Sequence, residues 1–132
     1  LYSEKDWANL NMLTSLNSFT SLGNFSNADL KKALSGKPEG VPVILLAHQP
    51  KGSDANAAAG VDLQLSGHTH GGQVLGIHWL NQMFNDGYVS GLYDVDGMKL
   101  YVSNGTGLWN GFLIRLGKPS EITELILHPA TR

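Results

Sequence analysis

Three histidines stand where two apolar stretches end. His48 follows Val43-Ile44-Leu45-Leu46-Ala47, and His68 and His70 follow Leu63-Gln64-Leu65-Ser66 in the run Gly67-His68-Thr69-His70-Gly71-Gly72-Gln73. Neutral imidazole suits zinc, iron, manganese and other first-row ions. If the chain stays extended after Ser66, residues at i and i+2 project to one side about 6–7 Å apart. His68 and His70 would then touch neighbouring ions, because two-metal hydrolytic sites hold theirs about 3.5–4 Å apart. Gly67, Gly71 and Gly72 lack a Cβ and let the backbone open beside such a site. A lone histidine at a strand end is more often structural, and His78 and His128 are read that way. What sets His48, His68 and His70 apart is that two apolar strands both end in histidine. The same three residues would also serve a mononuclear zinc site with water in the fourth position. Ligating rings are oriented through their other nitrogen, and Asp62, Gln73 or a nearby carbonyl are candidates for that role. Asp62 reads equally well as a turn residue.

The elements that must place these residues alternate between helix and strand and end in strands. Trp7, Leu10, Leu13, Leu16 and Phe19 recur every three residues and predict an amphipathic helix starting near Ser3. Asn27 is positioned to cap a helix over Ala28–Leu34, stopped at Gly36 and followed by the turn-prone Lys37-Pro38-Glu39-Gly40. Val41–Leu46 is continuously apolar, as expected of a strand covered on both faces, and Ser53–Ala59 reads as a short helix closed by Gly60. The unit is strand, helix, strand. After His70, Gly91–Val95 and Met98–Ser103 flank Asp96-Gly97, a strong hairpin signal. Phe112–Leu116 and Ile122–Leu127 are expected to complete the sheet.

Composition excludes several classes. A formal net charge of −2 and no basic cluster beyond Lys31-Lys32 offer no field for a nucleic-acid backbone, so no nucleic-acid partner is expected. The absence of cysteine rules out disulfides and thiolate metal sites within these 132 residues and leaves the compartment open. No apolar run approaches the roughly 20 residues needed to cross a bilayer, so any membrane association would come from sequence outside this chain.

The run Ile44-Leu45-Leu46-Ala47-His48-Gln49-Pro50, followed by Asp62-Leu63-Gln64-Leu65-Ser66-Gly67-His68-Thr69-His70-Gly71-Gly72-Gln73, resembles the C-terminal half of calcineurin-like metallophosphoesterases. Gly91-Leu92-Tyr93, Leu100-Tyr101-Val102-Ser103, Gly105-Thr106-Gly107-Leu108-Trp109, Arg115-Leu116-Gly117 and Pro119-Ser120-Glu121-Ile122-Thr123 extend the likeness, toward the branch with membrane-anchored bacterial members. The resemblance implies an α/β fold, the C-terminal half of a four-layer αββα sandwich with mixed sheets, with residues 1–132 forming a partial domain. It implies hydrolysis of phosphate esters, as phosphodiester or pyrophosphate bonds, by water activated with two divalent ions such as Mn, Zn or Fe. His48 and His68 would hold one ion and His70 the other.

The family builds the rest of its site from Asp-x-His, Gly-Asp-x-x-Asp and Gly-Asn-His followed by Asp or Glu, and this chain contains none of them. Three neutral imidazoles cannot offset two divalent cations, so carboxylates must come from elsewhere. By the resemblance they include an Asp bridging both ions, and the general-acid histidine is that of Gly-Asn-His. The partners expected are therefore the N-terminal half of the domain and a phosphate-ester substrate. This chain would supply no catalytic residue beyond its metal ligands, and alone it would be inactive. The contrasting expectation is a non-catalytic half-domain that serves as a binding or interaction module. The chain departs from the family at Gly76, often proline in relatives, and at Asn104 and Phe112-Leu113.

Overall fold

Residues 11–14, 27–108 and 113–128 are described by the computed structural model. In chain order they form β1 (Asn11–Thr14), α1 (Asn27–Leu34), β2 (Val43–Leu46), α2 (Ser53–Ala58), β3 (Leu63–Ser66), a 3₁₀ turn (His70–Gly72), α3 (Ile77–Phe84), β4 (Gly91–Val95) and β5 (Met98–Val102). One five-stranded sheet runs in the order β1-β2-β3-β5-β4. β1, β2, β3 and β5 are parallel and β4 is antiparallel to β5, so the sheet is mixed. The fold is α/β, as a partial sandwich of this kind requires.

The register divides the sheet into two unequal faces. Ile44 pairs with Leu63 and Leu45 with Gln64, while Gln64 pairs with Leu100 and Ser66 with Val102. Val43, Leu45, Leu100 and Val102 are buried on one face together with Val61, Val95 and Met98, and Leu30, Leu34 and Ala57 from α1 and α2 pack onto them. β3 turns its polar residues toward α2. Asn56 donates to Gln64 Oε1 (2.8 Å), Gln64 to Ser66 Oγ (3.0 Å), and Ser66 to the Gln49 carbonyl (3.4 Å), which satisfies this buried polar layer. The opposite face carries Ile44, Leu46, Leu63 and Leu65, all only half-buried. The expected coverage of β2 on both faces is therefore met on one; among the described residues no second sheet lies over the other. No described helix is long and apolar enough to cross a membrane.

Several sequence expectations hold with small changes. β2 begins at Val43 rather than Val41, because Pro42 has no amide to give and the Val43 amide is taken by Asp62 Oδ2 at 2.7 Å. The hairpin forms as expected, with positive φ at both Asp96 and Gly97, the conformation a two-residue turn demands.

Others are corrected. At residues 11–14 the expected N-terminal helix is a strand, Asn11 pairing with Val43 and Thr14 with Leu46; the remainder of that helix lies outside the described residues. A three-residue apolar spacing falls short of the 3.6-residue period, and the exposed edge of β2 offers a ladder. Residues 113–116 and 122–127 are not strands. Val74 makes isolated bridges to Leu116 and Gly117, and Ile122 is 91% exposed. A strand exists only by pairing, and this tail makes only isolated backbone bonds, Leu116 with Gln73 and Leu75 and the Glu121 amide with Gly105 O, beside those of its side chains. Phe112 lies outside the described residues. The helix α3 was not expected at all.

Candidate metal centre

Because β2, β3 and β5 are parallel, their C-terminal ends meet on one edge of the sheet, the edge where parallel α/β sheets bind ligands. Their ladders continue past the strands. The Ala47 amide donates to Leu65 O (3.0 Å), Gly67 to His48 O (3.0 Å) and Ser103 to Ser66 O (2.8 Å). The bond from Gly67 fixes His48 beside the residue preceding His68. His48 Nε2 and His68 Nδ1 lie 3.2 Å apart, and the rings meet edge to face at 5.0 Å. With metal–nitrogen bonds of about 2.0–2.1 Å, nitrogens at this spacing can bind a single ion.

The segment carrying His68 and His70 is not extended, contrary to expectation. β3 ends at Ser66, and the backbone enters the left-handed region at His68 (φ 70°), His70 (φ 50°) and Gln73 (φ 53°). Such positions cost of order 1–3 kcal/mol each for residues with a Cβ, and they cluster at functional sites. Thr69 pays part of that back: its buried hydroxyl donates to Val89 O (2.6 Å) and accepts from the Gly71 amide (3.4 Å), capping the 3₁₀ turn. With Thr69 turned inward, its two histidine neighbours stand at the surface. Of the three glycines, two are required. A Cβ on Gly71 would come within 2.3 Å of Asn104 Oδ1, and one on Gly72 within 2.7 Å of the His78 Cα. Gly67 has no positive φ and nothing within 4 Å of such a Cβ.

His70 is held from the far side of the chain. Its Nδ1 lies 3.1 Å from the Gly107 carbonyl. Arg115 donates to that carbonyl (2.6 Å), to those of Asn104 (2.8 Å) and Gly105 (3.3 Å), and to His70's own carbonyl (3.2 Å). Asn104, buried, gives its amide and Nδ2 to the Glu121 carboxylate (3.0 and 3.1 Å) and accepts from Ser90 Oγ (2.7 Å). Burial alone would raise the Glu121 carboxyl, but bonds from Tyr101, the Asn104 amide, Ser103 and Thr123 outweigh it and hold the group below the usual carboxylate range.

Partial burial, and then the neighbouring His48 and His70, hold the His68 imidazole below its ordinary value. It therefore favours the neutral form that a metal needs. The donor set fits part of a metal site: His48 and His68 converge, but among the described residues no three histidine or carboxylate side chains gather around a point, the mononuclear trio included. Asp62 sits at the opposite end of β3, bonded to Val43. Gln73 is fully buried, its carbonyl accepting from the Leu116 amide at 2.9 Å. His78 accepts from the Gly76 amide (3.0 Å) at the start of α3, a structural task, and His128 is exposed. Sequence reasoning missed Thr69, Arg115 and Glu121 as site residues. Arg115 is 45 residues from His70, and no local pattern links them.

The chain is 43% identical over 103 residues to an uncharacterized metallophosphoesterase of Helicobacter pylori, a stretch covering 76% of this chain and 27% of that protein. It is 43% identical over 105 residues to a Bos taurus transmembrane protein with metallophosphoesterase domain (77% and 23%), and 35% identical over 104 residues to the Bacillus subtilis metallophosphoesterase YkuE (76% and 36%). The chain thus spans about a quarter to a third of the length of these curated relatives. No family model and no solved structure matches it.

Proposed function

The chain belongs to the metallophosphoesterase family, and from that premise we propose that it supplies the histidine half of a two-metal site that hydrolyses phosphate esters, as phosphodiester or pyrophosphate bonds. The observation that carries this reading is the approach of His48 Nε2 to His68 Nδ1 at 3.2 Å on the ligand-binding edge of the sheet. His48 and His68 hold one ion. His70, facing the Gly107 carbonyl through Nδ1, offers Nε2 to the second. Divalent ions bound there supply a Lewis acid for a phosphoryl oxygen and lower the pKa of water for attack at phosphorus. The carboxylates that balance their charge come from outside the described residues. The chain's own contribution is to hold three neutral imidazoles at one sheet edge, on a backbone whose costly conformation at His68 and His70 is kept in place by the Thr69 and Arg115 hydrogen bonds.

The test is metal content and hydrolysis of an aryl phosphodiester by the full-length protein. Two equivalents are expected, with His68→Ala and His48→Ala each losing one, His70→Ala losing the other, and His78→Ala losing neither. This chain on its own is expected to be inactive. Full metal content and turnover in both His68→Ala and His70→Ala would sink the proposal.

A further inference from the structure

We infer that Arg115 is a positioning residue that sets the tautomer and orientation of His70 through the Gly107 carbonyl; the inference rests on the reading of His70 as a metal ligand. A carbonyl oxygen only accepts, so the 3.1 Å contact requires the proton on His70 Nδ1 and leaves the lone pair on Nε2. The same oxygen accepts from Arg115 Nη2 at 2.6 Å. Arg115 Nη1 meanwhile reaches the carbonyl of His70 itself at 3.2 Å. One planar guanidinium therefore holds both the backbone of His70 and the group its ring leans on.

The loop cannot do this alone. Thr106, Gly107 and Leu108 are exposed, and Gly105 and Gly107 have no side chain to pack. The Gly107 backbone nonetheless lies against the ring, a Cβ there falling 3.7 Å from His70 Cε1. Its carbonyl is aimed by the arginine, and Glu121, through Asn104, steadies the start of the same loop. Lysine cannot substitute, because a single ammonium does not span carbonyls on two sides as the guanidinium fork does. His48 and His68 are registered instead by the β2–β3 ladder, through the Gly67 amide on the His48 carbonyl, so that pair is an internal control. Loss of such an orienting partner typically weakens a metal site about 10–100-fold.

The experiment uses the full-length protein, ¹⁵N-labelled at histidine, with Mn²⁺ alone as the binding probe. Long-range ¹H–¹⁵N spectra of the metal-free wild type are expected to show His70 in the Nδ1–H form. Arg115→Ala should turn that into a tautomer mixture and weaken one Mn²⁺ equivalent about 10–100-fold, leaving the other unchanged. Arg115→Lys should fall on the same side, although it keeps the charge. An Nε2–H form in the wild type would overturn the inference. So would a folded Arg115→Ala or Arg115→Lys that keeps both the tautomer and both equivalents. If Arg115→Ala does not fold, the wild-type spectrum and Arg115→Lys decide. If His70→Ala retains both equivalents, the two-metal reading fails, and the role of Arg115 in it fails too, while the spectrum still reports whether the tautomer is set.

Discussion

His68 and His70 stand two residues apart and are held by different means. His68 is registered by the β2–β3 ladder, through the Gly67 amide on the His48 carbonyl. His70 is registered by Arg115, Asn104 and the Gly107 carbonyl, which arrive from 34 to 45 residues downstream. A ladder is backbone chemistry and tolerates changes in side chains around it. A side-chain clamp does not, so the two proposed ligand positions should fail under different substitutions.

The strongest way to break that contrast is through double variants. His48→Ala combined with His68→Ala should cost no more metal than either alone, since both are proposed to serve one ion, whereas adding His70→Ala should remove the second equivalent. Turnover of an aryl phosphodiester should already have dropped by orders of magnitude in each single variant. Additive metal losses between His48 and His68 would mean that they do not share an ion.

A smaller effect separates the glycines. Gly71→Ala meets Asn104 Oδ1 and a φ of 64°, so urea unfolding should show a loss of about 2–4 kcal/mol. Gly67→Ala on the ladder side should stay within about 0.5 kcal/mol. Equal losses would show that the clamp does not crowd the turn as described. Thr69→Val tests what the two histidines share. Losing the buried bond to Val89 O should cost about 1–3 kcal/mol and disturb both ligand positions together. Mn²⁺ titration that affects only one of them would contradict the shared anchor.

The smallest effect is in pH. The folded Glu121 carboxyl sits below its ordinary value, so on acidification the unfolded chain takes up the proton first. The support Glu121 gives is therefore complete above the ordinary value and is lost as pH falls through the lowered one. The Asn104 amide resonance should move in that acid range, and Glu121→Gln should abolish the movement. A shift centred at or above the ordinary glutamate value would contradict the sign.

What was legible in the sequence follows the same division. β2, α2, β3 and the 91–102 hairpin are written in local apolar runs, turn residues and strand ends, and so is the gathering of histidines where two strands end, whereas the pairing of His48 with His68 was implied by the resemblance. The turn at His70 was misread because extension was assumed, and a positive φ in a histidine leaves no mark on composition. α3 was missed because its pattern is inverted. Trp79, Leu80, Met83 and Phe84 are exposed, with Met83 at 79%, while Asn81 and Asn85 face inward, donating to Thr69 O (3.4 Å) and Asn81 O (2.9 Å). A helix is recognised by the apolar stripe it buries, and this one anchors with amides. The tail carries strand-like residues but meets its neighbours through isolated backbone bonds and side chains rather than a ladder.

The clamp also sets an order of events during synthesis. His48 and His68 can meet once residue 68 and the two strands behind it are free to pair. His70 must wait until Arg115 and Glu121 have been made and have closed a long loop back onto the turn, a slow step because distant contacts must first be brought together. On the proposed reading, the residues for one metal position can come together once residue 68 has been made, whereas His70 is not clamped until a residue 45 positions further along the chain has followed it.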